Sequence, residues 1–107
     1  MDFDIKQTLD DMKNAIAGVV TDEWPKVETC IRKALDEERD ALDEIAQARL
    51  ANEINDDEMK SELDDEKETL QAVLLACKVK AIVMAQKAAN AAIKVLTDAI
   101  NAALKGL

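Results

Sequence analysis

Histidine and tyrosine are absent from this 107-residue sequence, and glycine, proline and aromatic residues are nearly so, with two, one and two copies. The absence of histidine removes the usual general base and the commonest ligand of transition metals. Glycine and proline favour the tight turns that connect the strands of a sheet protein, and this sequence has few of either. Because Phe3 and Trp24 are the only aromatic residues, the core must consist of Ala, Leu, Ile, Val and Met. This composition is typical of a helix bundle.

Recognisable targeting and catalytic segments are also lacking. The N-terminus has no basic region followed by an apolar run, so we expect no signal peptide. The longest apolar runs, residues 72–77 and 81–85, are far below the roughly 20 residues of a membrane-spanning helix, and we expect a cytoplasmic protein. There is no Gly-rich phosphate loop and no HExxH motif. The sequence therefore predicts a non-enzymatic protein without a cofactor.

What the chain does have is a stretch of helix-forming residues from Asn55 to Leu107 that contains no proline and, before Gly106, no glycine. Asn55 is a good N-cap, and the three acidic residues after it suit the positive end of a helix dipole. Lys105 and Gly106 are a typical helix end. We predict one helix over residues 56–105, roughly 75 Å long at 1.5 Å per residue.

Two apolar seams run along the second half of this predicted helix, one of small residues and one of bulky residues about 120° around it. Lys78 and Val83 do not fit, because each falls on the wrong arc. A helix with two seams needs two neighbours, and a second copy of the chain could supply them. The residues predicted for that interface are Val79, Ile82, Ala91, Ile93, Leu96, Ala99, Ile100 and Leu104.

The first half of the chain predicts two further helices, over residues 3–20 and 22–51, followed by a turn at residues 52–55. A short turn makes the second and third helices antiparallel. Residues whose numbers sum to about 107 then lie level, so Cys30 and Cys77 sit opposite each other. They could form a disulfide, but in a cytoplasmic chain we expect two reduced core cysteines. Residues 36–69 form an acidic two-helix tip in this arrangement.

The path of the first helix is left open by the sequence. If it continues into the second helix, the monomer is a hairpin that must dimerise into a four-helix bundle. If it folds back, the last twenty residues need a partner or a break near residues 86–90. Because helices without Pro or Gly seldom kink sharply, we favour self-association. The sequence thus predicts a single all-α domain over residues 1–107, an elongated antiparallel helical hairpin or bundle that forms a homodimer.

The distribution of charge along the chain helps to distinguish the possible functions. Residues 21–68 have a net charge of −11 and residues 69–107 of +4, within a total of −9. The acidic total argues against nucleic-acid binding. The leading interpretation is an interaction or scaffolding protein that self-associates. The alternative is peripheral membrane binding through Lys80, Lys87, Lys94 and the bulky seam. A third, carboxylate metal binding, is weakened by the lack of histidine and would use Glu28, Glu38, Glu44, Glu62 and Glu66.

Overall fold

The computed structural model describes residues 3–107 and confirms the all-α class. A short 3-10 turn, Thr21–Glu23, joins the first two of four α-helices. The helices are α1 (Ile5–Val20), α2 (Trp24–Leu50), α3 (Asp56–Ala76) and α4 (Ile82–Lys105).

The four helices form an antiparallel bundle within one chain. Each helix packs against its neighbours in sequence, and α4 packs most extensively against α1, which closes the ring. The bundle measures 40 × 23 × 19 Å. The first helix therefore folds back at Thr21–Glu23, and a single chain completes the four-helix arrangement that we had expected to require dimerisation.

The prediction of one helix over residues 56–105 is wrong, because the chain reverses between Ala76 and Ile82. A straight helix of that length would be nearly twice as long as the whole molecule. The break also lies earlier than residues 86–90. Local helix propensity is only a weak preference, and here burial of α4 against α1 and α3 outweighs it.

The α2–α3 connection agrees with the sequence in detail. The backbone N–H of Glu58 donates to the Asn55 side chain at 2.8 Å, and the Asn55 N–H donates to the Glu58 carboxylate at 3.0 Å. This reciprocal capping box fixes the start of α3. Asn52 has a left-handed backbone with φ 61°, which lets the chain leave α2. The second half of α4 lies alongside the acidic tip of residues 36–69, since Met59 and Leu63 line one groove with Ile93 and Thr97.

Small residues of α4 account for its close approach to the other helices. Four alanines of α4 have no exposed surface, and they belong to the same buried core as large aliphatic residues. The fully buried alanines are Ala85, Ala88, Ala89 and Ala92. The largest side chains that are completely buried include Met12, Ile16, Leu42, Leu96 and Ile100.

Among residues 3–107, one charged side chain lies inside the bundle. The Lys13 side chain is 8 % exposed, and its Nζ donates to Asp36 Oδ1 of α2 at 2.9 Å. Asp36 itself is mostly exposed, with 62 % of its side chain accessible. The ion pair therefore lets a lysine stem fill the α1–α2 contact while its charge is neutralised at the surface.

We expect Asp36→Ala to lower the free energy of unfolding by about 1 kcal/mol, because it leaves the buried Lys13 ammonium without its carboxylate. Adding Lys13→Met should recover most of the loss, since methionine fills a similar volume without a charge. Urea denaturation of the two variants measures both effects. Equal stability of Asp36→Ala and wild type would show that this pair contributes nothing.

Candidate interaction surface at the α3–α4 connection

The α3–α4 connection is built around a lysine in a left-handed backbone conformation. Lys78 has φ 75°. The Lys78 N–H donates to the Leu75 carbonyl and the Val79 N–H to the Leu74 carbonyl, each at 3.1 Å. These two bonds form the Schellman motif that ends many helices, but glycine usually occupies the left-handed position. Val79 and Leu74 are both buried, as the hydrophobic contact of this motif requires. Because lysine stands here in place of glycine, the residue types contain no recognisable signal for the end of a helix.

A disulfide anchors the start of the connection. Cys77 is bonded to Cys30 of α2, with their Cα atoms 5.7 Å apart. The expectation of two reduced cysteines is therefore wrong, although the predicted register placed the pair correctly. Cys77 is 5 % exposed whereas Cys30 lies at the surface. The bond fixes the last residue before the reversal to the neighbouring helix.

The start of α4 leaves two large apolar side chains in solvent. Ile82 and Val83 are each 60 % exposed. The helix begins after Ala81, whose methyl side chain cannot accept a hydrogen bond from the first N–H groups. Val83 is one of the two residues that did not fit the predicted seams, and Lys78 is the other. Their misfit was the signal in the sequence for a break between them.

Lysines surround this exposed apolar pair. Lys78, Lys80 and Lys87 are all exposed, and together with Ile82 and Val83 they define the basic apolar surface. Lys94, the third lysine of the membrane alternative, instead binds Asp98 at 2.8 Å. Residues 78–107 carry one acid against five lysines, whereas residues 1–77 carry twenty-two acids against nine bases. The surface therefore belongs to the basic part of an otherwise acidic protein.

The residues predicted for a dimer interface fall into three groups. Val79, Ile93, Leu96 and Ile100 are buried inside the bundle. Ala91, Ala99 and Leu104 are half-buried. Only Ile82 of the eight is exposed, and it lies in the basic apolar surface. The four buried residues can reach a second copy only if α4 leaves its place in the bundle.

The glutamates considered as metal ligands are spread over the hairpin of α2 and α3. Glu28 binds Arg32 at 2.6 Å. Glu44, Glu62 and Glu66 line an open groove of about 430 Å³ between α2 and α3, whose floor includes Ala41, Ile45, Ala48 and Ile54. Within residues 3–107, no three carboxylate or cysteine side chains are grouped closely enough to hold a metal ion. The groove therefore offers an acidic surface and not a formed metal site.

The environment of Glu66 in this groove is unfavourable for its negative charge. Burial raises the pKa of Glu66 above its ordinary value of 4.5, and the charges of Glu38 and Asp65 raise this pKa further. Among the described residues, Glu66 Oε2 is the buried side-chain atom that lacks a hydrogen-bond partner. The ionised form of Glu66 therefore destabilises the folded state.

We expect Glu66→Gln to stabilise the protein at pH 7 by up to about 1 kcal/mol, because the charge is removed and solvent screening limits the gain. A raised pKa means that the folded state binds the proton more tightly, so the penalty is relieved as pH falls through the folded-state pKa. The advantage of the variant should vanish below pH 4.5, the ordinary value. Melting curves at pH 7 and pH 3.5 measure this, and Glu68→Gln, at an exposed position of α3, controls for the loss of one charge.

Comparisons of the chain with protein-family models, curated proteins and solved structures find no match. Over residues 3–107, no helix combines the length and the apolar character needed to cross a membrane.

Proposed function

We propose that this chain is a non-enzymatic helical interaction protein that self-associates. Its acidic partner is then a second copy of the same chain. The observation that supports the proposal is the basic apolar surface on a protein whose residues 1–77 are strongly acidic. A partner that covers this surface removes Ile82 and Val83 from water and pairs three lysines. Both effects favour an acidic helical protein as the partner.

Burial and charge contribute differently to such an association. Complete burial of the exposed parts of Ile82 and Val83 contributes on the order of 1 kcal/mol each. The lysines add long-range attraction to an acidic surface, which raises the rate of association and weakens as salt is added. Self-association through this surface is therefore expected to depend on both apolar contact and ionic strength.

Light scattering after size exclusion, at several protein concentrations, tests the proposal. We expect a species of twice the 11.8 kDa chain mass, and a shift toward monomer when Ile82→Ser and Val83→Ser are combined. The control is Ala72→Ser, at an exposed position of α3. The helical content of all variants should match wild type, because the substituted residues lie at the surface. A single 11.8 kDa species at every concentration would contradict self-association.

Peripheral membrane binding is the second candidate, and the same surface favours it. Exposed aliphatic residues flanked by lysines suit the boundary between lipid headgroups and acyl chains of an anionic bilayer. The bulky seam that the sequence assigned to lipid contact is largely buried, since Ile93, Leu96 and Ile100 lie in the core. Only the basic apolar surface would then contact lipid.

Co-sedimentation with vesicles separates the two candidates. Membrane binding predicts that the protein pellets with phosphatidylserine-containing vesicles at low salt, and that the Ile82→Ser, Val83→Ser variant stays in the supernatant. Vesicles of phosphatidylcholine alone provide the matched control. Absence of the protein from the anionic pellet at low salt would remove this candidate and leave the protein interaction.

The location of the protein stays a prediction. A cytoplasmic location was expected from the sequence, but the Cys30–Cys77 disulfide weighs against a strongly reducing compartment, where such bonds are rare.

A further inference from the structure

We infer that two copies associate by exchanging α4, so that α4 of each chain completes the bundle formed by α1, α2 and α3 of the other. The inference rests on the proposed self-association and specifies its geometry. In the exchanged dimer, residues 77–81 straighten and join α3 to α4 as one helix. That helix is the one that the sequence predicts over residues 56–105.

The connection has the properties of a hinge with two conformations. Residues 77–81 read Cys-Lys-Val-Lys-Ala and contain no helix breaker. The closed form, in which α4 packs on the other helices of its own chain, instead requires a left-handed conformation at Lys78, with φ 75°. This conformation is unfavourable for residues other than glycine. Short hinges under backbone strain are the usual sites of exchange between identical chains.

Straightening also satisfies backbone N–H groups that the closed form leaves at the start of α4. The carbonyls of Leu74 and Leu75 at the end of α3 already accept from Val79 and Lys78, but the first N–H groups of α4 have no partners in their own helix. In a continuous helix these N–H groups donate to carbonyls four residues earlier. The closed form cannot compensate for them, because Ala81 at the start of α4 has no side chain capable of capping it.

The exposed apolar residues lie where an exchanged dimer forms its new contact. Exchange reproduces the contacts of the closed bundle and adds one interface, where the two hinge segments pass each other. Ile82 and Val83 lie just after the hinge and are each 60 % exposed in the closed form. Exchange therefore gives these two residues an apolar partner, the same residues of the second copy.

Charge is complementary between the exchanged segment and its new site. Residues 1–77 have a net charge of −13, and the exchanged segment, residues 78–107, has a net charge of +4. Exchange therefore keeps each basic segment on an acidic three-helix unit, which is now that of the other chain.

The disulfide confines the movement to the hinge. Cys77 is held to Cys30 of the same chain, so α2 and α3 stay paired while α4 moves. Contacts between α4 and the rest of the bundle then become contacts between chains. Leu63 of α3 and Ile93 of α4 line one groove and provide such a pair.

An isotope-filtered NMR experiment tests the exchange directly. Equal amounts of ¹³C-labelled and unlabelled protein are unfolded in urea with the disulfide intact, refolded together and examined at a concentration where the dimer dominates. We expect nuclear Overhauser effects between the Leu63 and Ile93 methyl groups of different chains. A dimer that shows this contact only within one chain overturns the exchange but leaves self-association standing. A protein that is monomeric at all concentrations overturns both.

Substitution of the hinge provides a second test. Lys78→Gly relieves the left-handed residue in the closed form and disfavours the continuous helix, so it should raise the dimer Kd by roughly 10-fold or more. Lys78→Ala is the matched control, because alanine does not relieve the left-handed conformation and forms helices well. The dimer Kd of this variant should stay close to that of wild type. Indistinguishable Kd values for the two variants would overturn the hinge.

Discussion

Loss of the Cys30–Cys77 disulfide should lower the free energy of unfolding by about 3–4 kcal/mol. The two cysteines are 47 residues apart, so the bond constrains a long loop of the unfolded chain. Because a protein of this size is stabilised by only about 5–15 kcal/mol, this is a large part of the total. Urea denaturation of the oxidised protein, with and without a phosphine reductant, measures the change.

The Cys30→Ser, Cys77→Ser double variant provides the control for that measurement. Its denaturation curve should lie close to that of the reduced wild type and should not move when reductant is added. Cys77 is 5 % exposed, so serine at this position buries a hydroxyl group, which itself lowers the free energy of unfolding. Cys77→Ala adds no hydroxyl and therefore separates this effect from the loss of the disulfide. Equal urea midpoints for oxidised and reduced wild type would show that the disulfide does not stabilise the fold.

Ala92→Leu should lower the free energy of unfolding by about 1–3 kcal/mol. Ala92 has no exposed surface and belongs to the core of a helix that packs extensively against α1 and α3. Leucine adds three carbon atoms to a contact without room for them, so the helices must separate or side chains must leave their preferred rotamers. The urea midpoint measures the loss.

Ala102→Leu provides a matched control on the same helix, because Ala102 is exposed and its substitution should leave the midpoint nearly unchanged. The pair also tests the observed orientation of α4. Ala91 and Ala99, which the sequence predicts for the interface, are half-buried, and Ala102 is exposed. A larger loss from Ala102→Leu than from Ala92→Leu would mean that α4 is rotated from its observed position.

Local signals in the sequence predicted the helical class of the fold and the connection between α2 and α3. Asn55 and Glu58 have the spacing of a capping box, and the structure shows both of its hydrogen bonds. The turn they define set the register that brings Cys30 and Cys77 together. Each of these features depends on residues close to one turn, and such interactions are readable from sequence order alone.

The break between α3 and α4 could not be predicted with the same rules. It uses a lysine where glycine is usual, and it exists because packing of α4 against α1 compensates for an unfavourable local conformation. The return of α1 was equally undecided, since it passes through Thr21 at φ 41°, another residue that seldom adopts positive φ. The oxidation state of the cysteines depends on the surroundings of the protein as well as on its sequence.

The basic apolar surface was the least predictable part. Burial of half of the eight predicted interface residues follows from the break, because only a separate α4 can turn back into the bundle of its own chain. The same break exposes Val83, which is only a misfit in the helical pattern of the sequence. A surface that forms where the chain reverses direction has no periodic sequence pattern of its own, so it cannot be predicted from helical periodicity.

The position of the disulfide has a topological consequence. The bond closes residues 30–77 into a covalent ring that contains most of α2 and all of α3, whereas α1 and α4 are linear tails outside the ring that pack against each other. A tail that packs on the outside of a ring can depart and return without being threaded through it. Large movements of α4 are therefore possible in the oxidised protein without passing one segment of chain through another.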